Sequence, residues 1–497
     1  MELIYLILSP IIISLFFLFH GLNLYRRRRL PPGPLGLPIL GNLLDLGAKP
    51  HESLAKLSQK HGPLMTIRLG GITAVVASTP EAAREILQRN DVACSGRPVP
   101  DAVTTLKHPD TAVLWIPPNE TWRAIRKALN LYLINQHKLD SLMQVRENVV
   151  EGMLEFLRES AGQEKRAVDI GTMAFGVALN QFANTFFSKN MSGYESREIK
   201  GFQTAVEIAM EVQGKFNLAD IFPVLKTLDP QKVRVRAKAT FDWLDDVIQG
   251  FVNERLKHRE AKLPRFNDML DSLLDFSEED DKVDFNLTHI RTLLGDVTVA
   301  GTDTIASSTS WVMAELLLHP DMFMRVRKEV GEIVGEDGKV EEAKLLDLPY
   351  LDAVIKETMR LHAGSPLLAP HITETQVKIG NYLLPKNTHI FVNAWSMAHD
   401  PKYWDNPMVF MPERFLGSKV DYKGQYFEFI PFGSGRRRCP GMPLAHRMLS
   451  LIVASFVYHF DWELPYAAEK MDMSDKYGLT LLKATPLVAT PIPAASQ

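Results

Sequence analysis

Only two of the 497 residues are cysteine, and one of them, Cys439, stands in a setting that limits what this chain can build. It follows Phe432-Gly433-Ser434-Gly435-Arg436-Arg437-Arg438 and precedes Pro440-Gly441. Glycines let the backbone approach a flat ligand closely, because no β-carbon intervenes. The pattern reads as a loop, then a helix from about Pro440. A cysteine at a helix start beside arginines is expected to have a lowered pKa and to exist as thiolate. Such a thiolate is either a nucleophile or an axial haem ligand. The close glycine approach, with arginines to meet carboxylates, suits haem better. Two cysteines are too few for a disulfide framework or a Cys-based zinc or iron–sulfur site. A compartment that keeps thiols reduced is expected.

Charge narrows the choice further. Lys plus Arg is 56 and Asp plus Glu is 59, a net charge of −3. That balance argues against nucleic acid as the main partner, since neutralising phosphates needs a basic surface. No Gly-x-Gly-x-x-Gly follows a strand and no phosphate-binding Gly-Lys-Ser/Thr loop occurs, so the chain has no evident nucleotide module of its own. The length admits either about three ordinary domains or one large one.

The first residues are set apart. Leu3 to Phe19 is apolar except for Tyr5, Ser9, Pro10 and Ser14, and Arg26 to Arg29 follow. About 20 residues cross a bilayer as a helix. Glu2 precedes the apolar run and the arginines come after it, the reverse of a cleaved signal peptide. Residues 1–25 therefore read as a single-span N-terminal membrane anchor. Residues 26–34, ending in Leu30-Pro31-Pro32-Gly33-Pro34, read as a stiff basic and proline-rich hinge. Residues 35–497 read as the catalytic domain. The positive-inside rule keeps the arginines, and the domain behind them, in the cytosol.

That domain reads as mainly α with small β-sheets. Ile67 to Ser78 patterns as a hairpin turning at Gly70-Gly71. Thr79-Pro80-Glu81 opens a helix. Helical patterns cover Pro118 to Leu133, Leu139 to Glu159, Ser196 to Val212, Phe241 to Lys262, Asp321 to Val334, Leu351 to His362 and Met442 to Phe460. A long helix runs from about Thr288 to His319, where Pro320 stops it. Glu278 to Lys282 reads as a solvated loop. His371 to Ile390 alternates as sheet with a turn at Gly380-Asn381, and a short strand pair falls near Gly478 to Leu482.

Phe432, Gly435, Arg437, Cys439 and Gly441 together resemble the haem-binding loop of the cytochrome P450 monooxygenases. Further family signatures follow the same order along the chain. Ala300-Gly301-Thr302-Asp303-Thr304 resembles the oxygen-activation motif of the central helix. Glu357, Arg360 and Arg414 resemble the structural triad that locks the haem-side meander. Trp122-x-x-x-Arg126 resembles the helix that meets a haem propionate. The resemblance implies haem b with an axial Cys439 thiolate, which favours O–O cleavage. It implies proton delivery by Asp303 and Thr304, with Gly301 permitting local widening of the helix. Thr304 can instead bond back to the Ala300 carbonyl. NADPH enters only through an NADPH-cytochrome P450 reductase, with Lys127, Arg436 and Arg447 as contacts.

Other stretches resemble the plant microsomal, terpenoid-oxidising branch that includes geraniol 8-hydroxylase and ferruginol synthase. They include Ser95-Gly96-Arg97-Pro98-Val99-Pro100-Asp101 and Tyr477-Gly478-Leu479-Thr480-Leu481. The branch implies the endoplasmic reticulum membrane and a small apolar substrate, a monoterpenoid alcohol such as geraniol or else an abietane-type diterpene. Family topology implies a pocket from Asp101 to Trp115, Ala205 to Val212, Asp296 to Thr304, Ser365 to Ala369 and Leu479 to Leu482. Thr104, Thr105 and Thr111 offer hydroxyls to a substrate alcohol. One departure concerns His371, which stands where the family has a propionate-binding Arg. His371 can bind a propionate there, though its charge depends on pH. Cys94 stands where the branch has Phe and is expected to fill core. The sequons at Asn119, Asn190 and Asn286 are expected to be unmodified, because this topology keeps them cytosolic.

Overall fold

In this computed structural model, residues 29–104, 108–162, 165–191, 193–194, 196–279, 285–335 and 338–494 are described. The expected anchor over residues 1–25, hinge residues 26–28 and Thr105 lie outside them. Among the described residues no helix is long and apolar enough to cross a membrane. The described end of the hinge is docked on sheet: Thr66 N–H donates to the Pro32 carbonyl at 2.8 Å and Leu383 N–H to that of Arg29 at 2.9 Å.

Helices dominate. The larger ones are α1 (Pro50–His61), α2 (Glu120–Leu129), α3 (Met143–Ala161), α4 (Ile170–Phe187), α5 (Arg197–Gly214), α6 (Val233–Glu260), α7 (Met269–Glu279), α8 (Leu287–Leu318), α9 (Pro320–Gly331), α10 (Pro349–Leu361) and α11 (Met442–His459). Strands β1 (Leu64–Leu69) and β2 (Ile72–Ala77) form the hairpin expected at Gly70-Gly71. β2 pairs in parallel with β7 (His389–Val392), and β7 pairs antiparallel with β4 (His371–Ile372). β5 (Val377–Ile379) and β6 (Tyr382–Leu384) form the hairpin at Gly380-Asn381. β3 (Val168–Asp169), β8 (Phe460–Glu463) and β11 (Val488–Pro493) make a three-stranded sheet in the order β3-β11-β8. β9 (Asp475–Lys476) pairs with β10 (Leu482–Lys483).

Caps explain most helix starts. Asn119 Oδ1 accepts the Trp122 N–H at 2.9 Å and opens α2, whose end widens so that Asn135 N–H reaches the Asn130 carbonyl. Asn286 and His289 form a reciprocal cap on α8, and Pro320 ends it. Glu329, from α9, caps α10 through Tyr350 N–H and Leu351 N–H, each at 2.8 Å.

Two expectations need correction. Glu278 and Glu279 are not loop; they finish α7, and residues 280–282 lie outside the described ones. The sequence patterns also passed over α4. Fifteen of its eighteen residues are buried, so it shows no amphipathic stripe. It packs along α8 in the largest apolar cluster, which runs from Ile116 to Ala489. α8 carries many hydroxyls into that core. Thr298, Thr302 and Ser310 each bond back one turn, to Leu294, Thr298 and Ala306 carbonyls at 2.8, 2.7 and 2.9 Å. Buried polar groups satisfied this way cost little.

Candidate active site

The Cys439 loop is built on backbone. Cys439 N–H donates to the Phe432 carbonyl at 3.0 Å, and Gly435 adopts a φ of +69°. The helix after the loop starts at Met442, as its apolar pattern indicated, with Gly441 as N-cap. The N–H groups of Gly441 and Met442 point at the Cys439 sulfur. The sulfur is accessible but lies deep among protein atoms. Burial therefore pushes the thiol up, against the pull of those N–H groups, Arg126 and Arg438. This corrects the expected lowering. The protein's own groups alone do not make the thiolate; a coordinated metal does so outright.

Three guanidiniums gather beside the loop. Arg437 donates to the Ser95, Val113 and Ile116 carbonyls at 2.9, 3.2 and 2.5 Å. Arg126 donates to the Arg438 carbonyl at 3.1 Å. Trp122 lies between them, its ring 5.5 Å from Arg126 and 5.1 Å from Arg437. Arg97 donates to the Ala369 and Pro370 carbonyls. Among the described residues none of the three pairs with a carboxylate. Burial, with mutual repulsion, pulls Arg97 down to about 9 and Arg437 to about 10. Partly buried cations without counter-ions are costly, and a dianion would neutralise them. The donor set fits haem: a thiol on one side and an unpaired arginine cluster for two propionates. In sequence Arg97 stands between Gly96 and Pro98, far from the cysteine, and only the fold brings it beside the loop.

His371 is buried, and its Nδ1–H donates to the Cys94 carbonyl at 2.7 Å. Burial and Arg97 hold it well below its ordinary pKa. With Nδ1–H bonded to that carbonyl, the neutral ring presents Nε2 as an acceptor. Arg97, Arg126 and Arg437 are the cations this side of the loop offers to carboxylates. Cys94 is buried, its thiol raised to about 12 and inert.

The residues expected to activate oxygen share one stretch of α8. Thr304 donates to the Ala300 carbonyl at 2.8 Å. The helix is regular through Gly301, so no widening is seen there. Gly301 serves packing instead: a β-carbon would stand 2.4 Å from the Phe182 ring. Asp303 is buried, which pushes its carboxyl up to about 6.

Behind the loop, Glu357 and Arg360 are fully buried on α10 and paired twice at 2.8 Å. Arg414 joins Glu357 at 3.0 Å, and Met411 N–H at 2.9 Å. Arg360 also holds the Ala398 and Pro407 carbonyls, each at 2.7 Å. The triad thus fixes an irregular segment by its backbone.

A cavity of about 400 Å³ reaches Arg97 and is lined by Val99, Phe216, Ser365, Leu367, Phe391 and Leu479 among others. Ser365–Leu368 and Leu479 were expected there. The Asp101–Trp115 and Asp296–Thr304 stretches do not line this cavity. Thr104 is bonded to the Asp101 carbonyl at 2.7 Å and Thr111 to Thr292 at 3.0 Å, so both hydroxyls are engaged. Of the expected reductase contacts, Arg447 is buried and paired with Glu342 and Asp140 at 2.8 and 2.6 Å. It is structural. Arg436 faces Asp91 at 3.4 Å. Lys127 lies over the Phe276 ring at 5.5 Å.

The cytochrome P450 family profile matches residues 31–489. A geraniol 8-hydroxylase from Swertia mussotii is 41% identical over 481 residues, 96% of this chain and 97% of that protein. A ferruginol synthase from Isodon rubescens is 40% identical, covering 94% and 95%. A carnosic acid synthase from Rosmarinus officinalis is 40% identical, covering 98% and 99%. This chain therefore belongs to the cytochrome P450 family, the haem-thiolate monooxygenases that receive electrons from a reductase.

Proposed function

We propose that this monooxygenase hydroxylates a small terpenoid, a monoterpenoid alcohol such as geraniol. The observation that carries the reading is the 41% identity to geraniol 8-hydroxylase along nearly the whole chain. The cavity of about 400 Å³ is of small-molecule size, but neither Cys439 nor Thr304 lines it, so the reading rests on the identity. Haem, when bound through Cys439, supplies the oxygen chemistry. The chain's own residues do the rest. Arg97, Arg126 and Arg437 seat the carboxylates, Trp122 spaces two of those cations, and Asp303 and Thr304 hold protons beside the site. The 40% identity to ferruginol synthase supports a second reading, oxidation of an abietane-type diterpene.

We further propose a cytosolic domain held against the endoplasmic reticulum membrane. Leu35, Ile39 and Leu44 on one segment and Val224 and Leu228 on another are exposed. The Gly70-Gly71 turn joins them: Gly70 N–H donates to the Leu40 carbonyl at 3.1 Å and Gly71 N–H to that of Ile221 at 3.2 Å. Exposed apolar side chains on two segments joined in this way support contact with lipid. Glycan on Asn119, Asn190 or Asn286 in cells would overturn this orientation.

The substrate test is incubation with reductase, NADPH and a panel of terpenes, read by mass spectrometry. Hydroxylated geraniol is the expected product. Product from an abietane diterpene alone would replace the first reading with the second. A ferrous–CO spectrum lacking the red-shifted Soret band of thiolate ligation would overturn both.

A further inference from the structure

We propose that His51, Glu52 and Asp475 form a site for a divalent transition-metal ion of the zinc class, which clamps helix α1 to the β9–β10 hairpin. One ligand atom from each of the three residues lies within 4.8 Å of the other two. Among the described residues no other group of three histidine, cysteine or carboxylate side chains gathers so closely. His51 and Glu52 lie in the first turn of α1, and Asp475 stands in β9, near the other end of the chain.

Paired carboxylates are common without a metal, so the histidine decides. His51 is fully buried, and among the described residues neither of its ring nitrogens has a hydrogen-bond partner. A buried polar atom left unpaired is costly and calls for an explanation. The ring is held by packing instead. Tyr477 stacks on it at 5.7 Å and 18°, Trp395 meets it edge-on at 5.3 Å, and Asn393 Nδ2–H donates to the His51 carbonyl at 2.8 Å. Asp475 Oδ1 is likewise buried and without a partner among the described residues. A ring nitrogen and carboxylate oxygens this close, with no hydrogen bond between them, are satisfied together by a cation.

One imidazole nitrogen and two carboxylates suit zinc, with water in the fourth position. Calcium and magnesium prefer oxygen ligands throughout. Tetrahedral zinc at about 2.1 Å needs its ligand atoms about 3.4 Å apart, so the carboxylates must close in by about 1 Å. Glu52 and Asp475 are 30% and 16% exposed, which leaves them room to move and gives the ion a way in. The positive end of α1 opposes a cation only weakly, and two carboxylates outweigh it. Lys49 is the competitor. Its ammonium lies 3.0 Å from Asp475 Oδ2 and 3.3 Å from Glu52 Oε1, and it is exposed enough to swing into solvent. The two carboxylates thus hold either the ammonium or the metal. Tyr477, two residues beyond Asp475, lines the cavity of about 400 Å³, so a bound ion fixes that wall against α1.

The test uses haem-loaded, untagged enzyme and zinc chloride. Calorimetry, and metal analysis after gel filtration, should find one zinc per chain, and thermal unfolding should move up as zinc is added. His51→Phe keeps the ring stack and removes both nitrogens. Asp475→Asn removes a carboxylate at a partly exposed position, where folding is not at risk. Each should weaken zinc binding at least about tenfold and abolish the thermal shift. Lys49→Met removes the competing cation and should tighten zinc binding roughly tenfold, an effect that a packing defect does not give. A wild type that takes up no zinc overturns the proposal. So does zinc uptake that is unchanged in His51→Phe and Asp475→Asn. Wild-type affinity in Lys49→Met overturns it as well, because the ion would then sit elsewhere.

Discussion

Gly435 presses against the Leu87 carbonyl so closely that a β-carbon would stand 1.8 Å from its oxygen, with Gly435 at a φ of +69°. Both the contact and the backbone conformation exclude a side chain. Gly435→Ala is expected to lose about 1–3 kcal/mol from backbone strain alone, with the clash adding to it. Haem content per purified chain and thermal unfolding measure the loss. Retention of full haem with wild-type unfolding would mean the loop tolerates a shift of the Leu87 backbone.

Glu357 is the common partner of Arg360 and Arg414 and is fully buried. Glu357→Gln leaves two guanidiniums short of a counter-ion. Urea unfolding should register a loss of about 3–5 kcal/mol. The exposed pair Arg325–Glu413, at 2.8 Å, is the internal control. Arg325→Gln should cost less than about 1 kcal/mol.

Arg447 separates stability from docking. It is buried in a network with Glu342, Asp140 and, across Glu342, Arg146. Arg447→Leu should destabilise the fold by about 3–5 kcal/mol, since Glu342 loses half of its compensation. The KM for reductase should not change. A raised KM at unchanged stability would return Arg447 to the docking surface.

His399 ties stability to pH. Its Nδ1–H donates to the Trp395 carbonyl at 2.8 Å, and burial lowers the ring from 6.5 to about 3. The folded value lies below the unfolded one, so the unfolded chain takes up the proton first on acidification. The stabilisation is complete above the ordinary histidine range and is lost as pH falls from there toward about 3. Between about pH 7.5 and about pH 5, wild type should lose about 2 kcal/mol more than His399→Gln. Equal losses, read from urea unfolding at the two pH values, would show that His399 does not titrate on unfolding.

The sequence by itself determined what depends on neighbours along the chain. Pro320 ends α8 because the ring cannot continue it, and the glycines at 70–71 and 380–381 turn the hairpins. The spacing from Phe432 to Gly441 marked the cysteine loop. Packing decided the rest, because charge and hydrogen bonding depend on partners distant in sequence. Helix α4 was hidden because burial on every side erases periodicity. Arg447 reads as a surface arginine until Asp140 and Glu342 close around it. His371 reads as a stand-in for arginine until the Cys94 carbonyl takes its Nδ1–H. Ser307 and Leu481 are far apart in sequence, and packing brings the Ser307 hydroxyl to the Leu481 carbonyl at 3.0 Å. Local pattern fixes the course of the backbone; desolvation and partnership, which set each side chain's chemistry, exist only once the chain has packed.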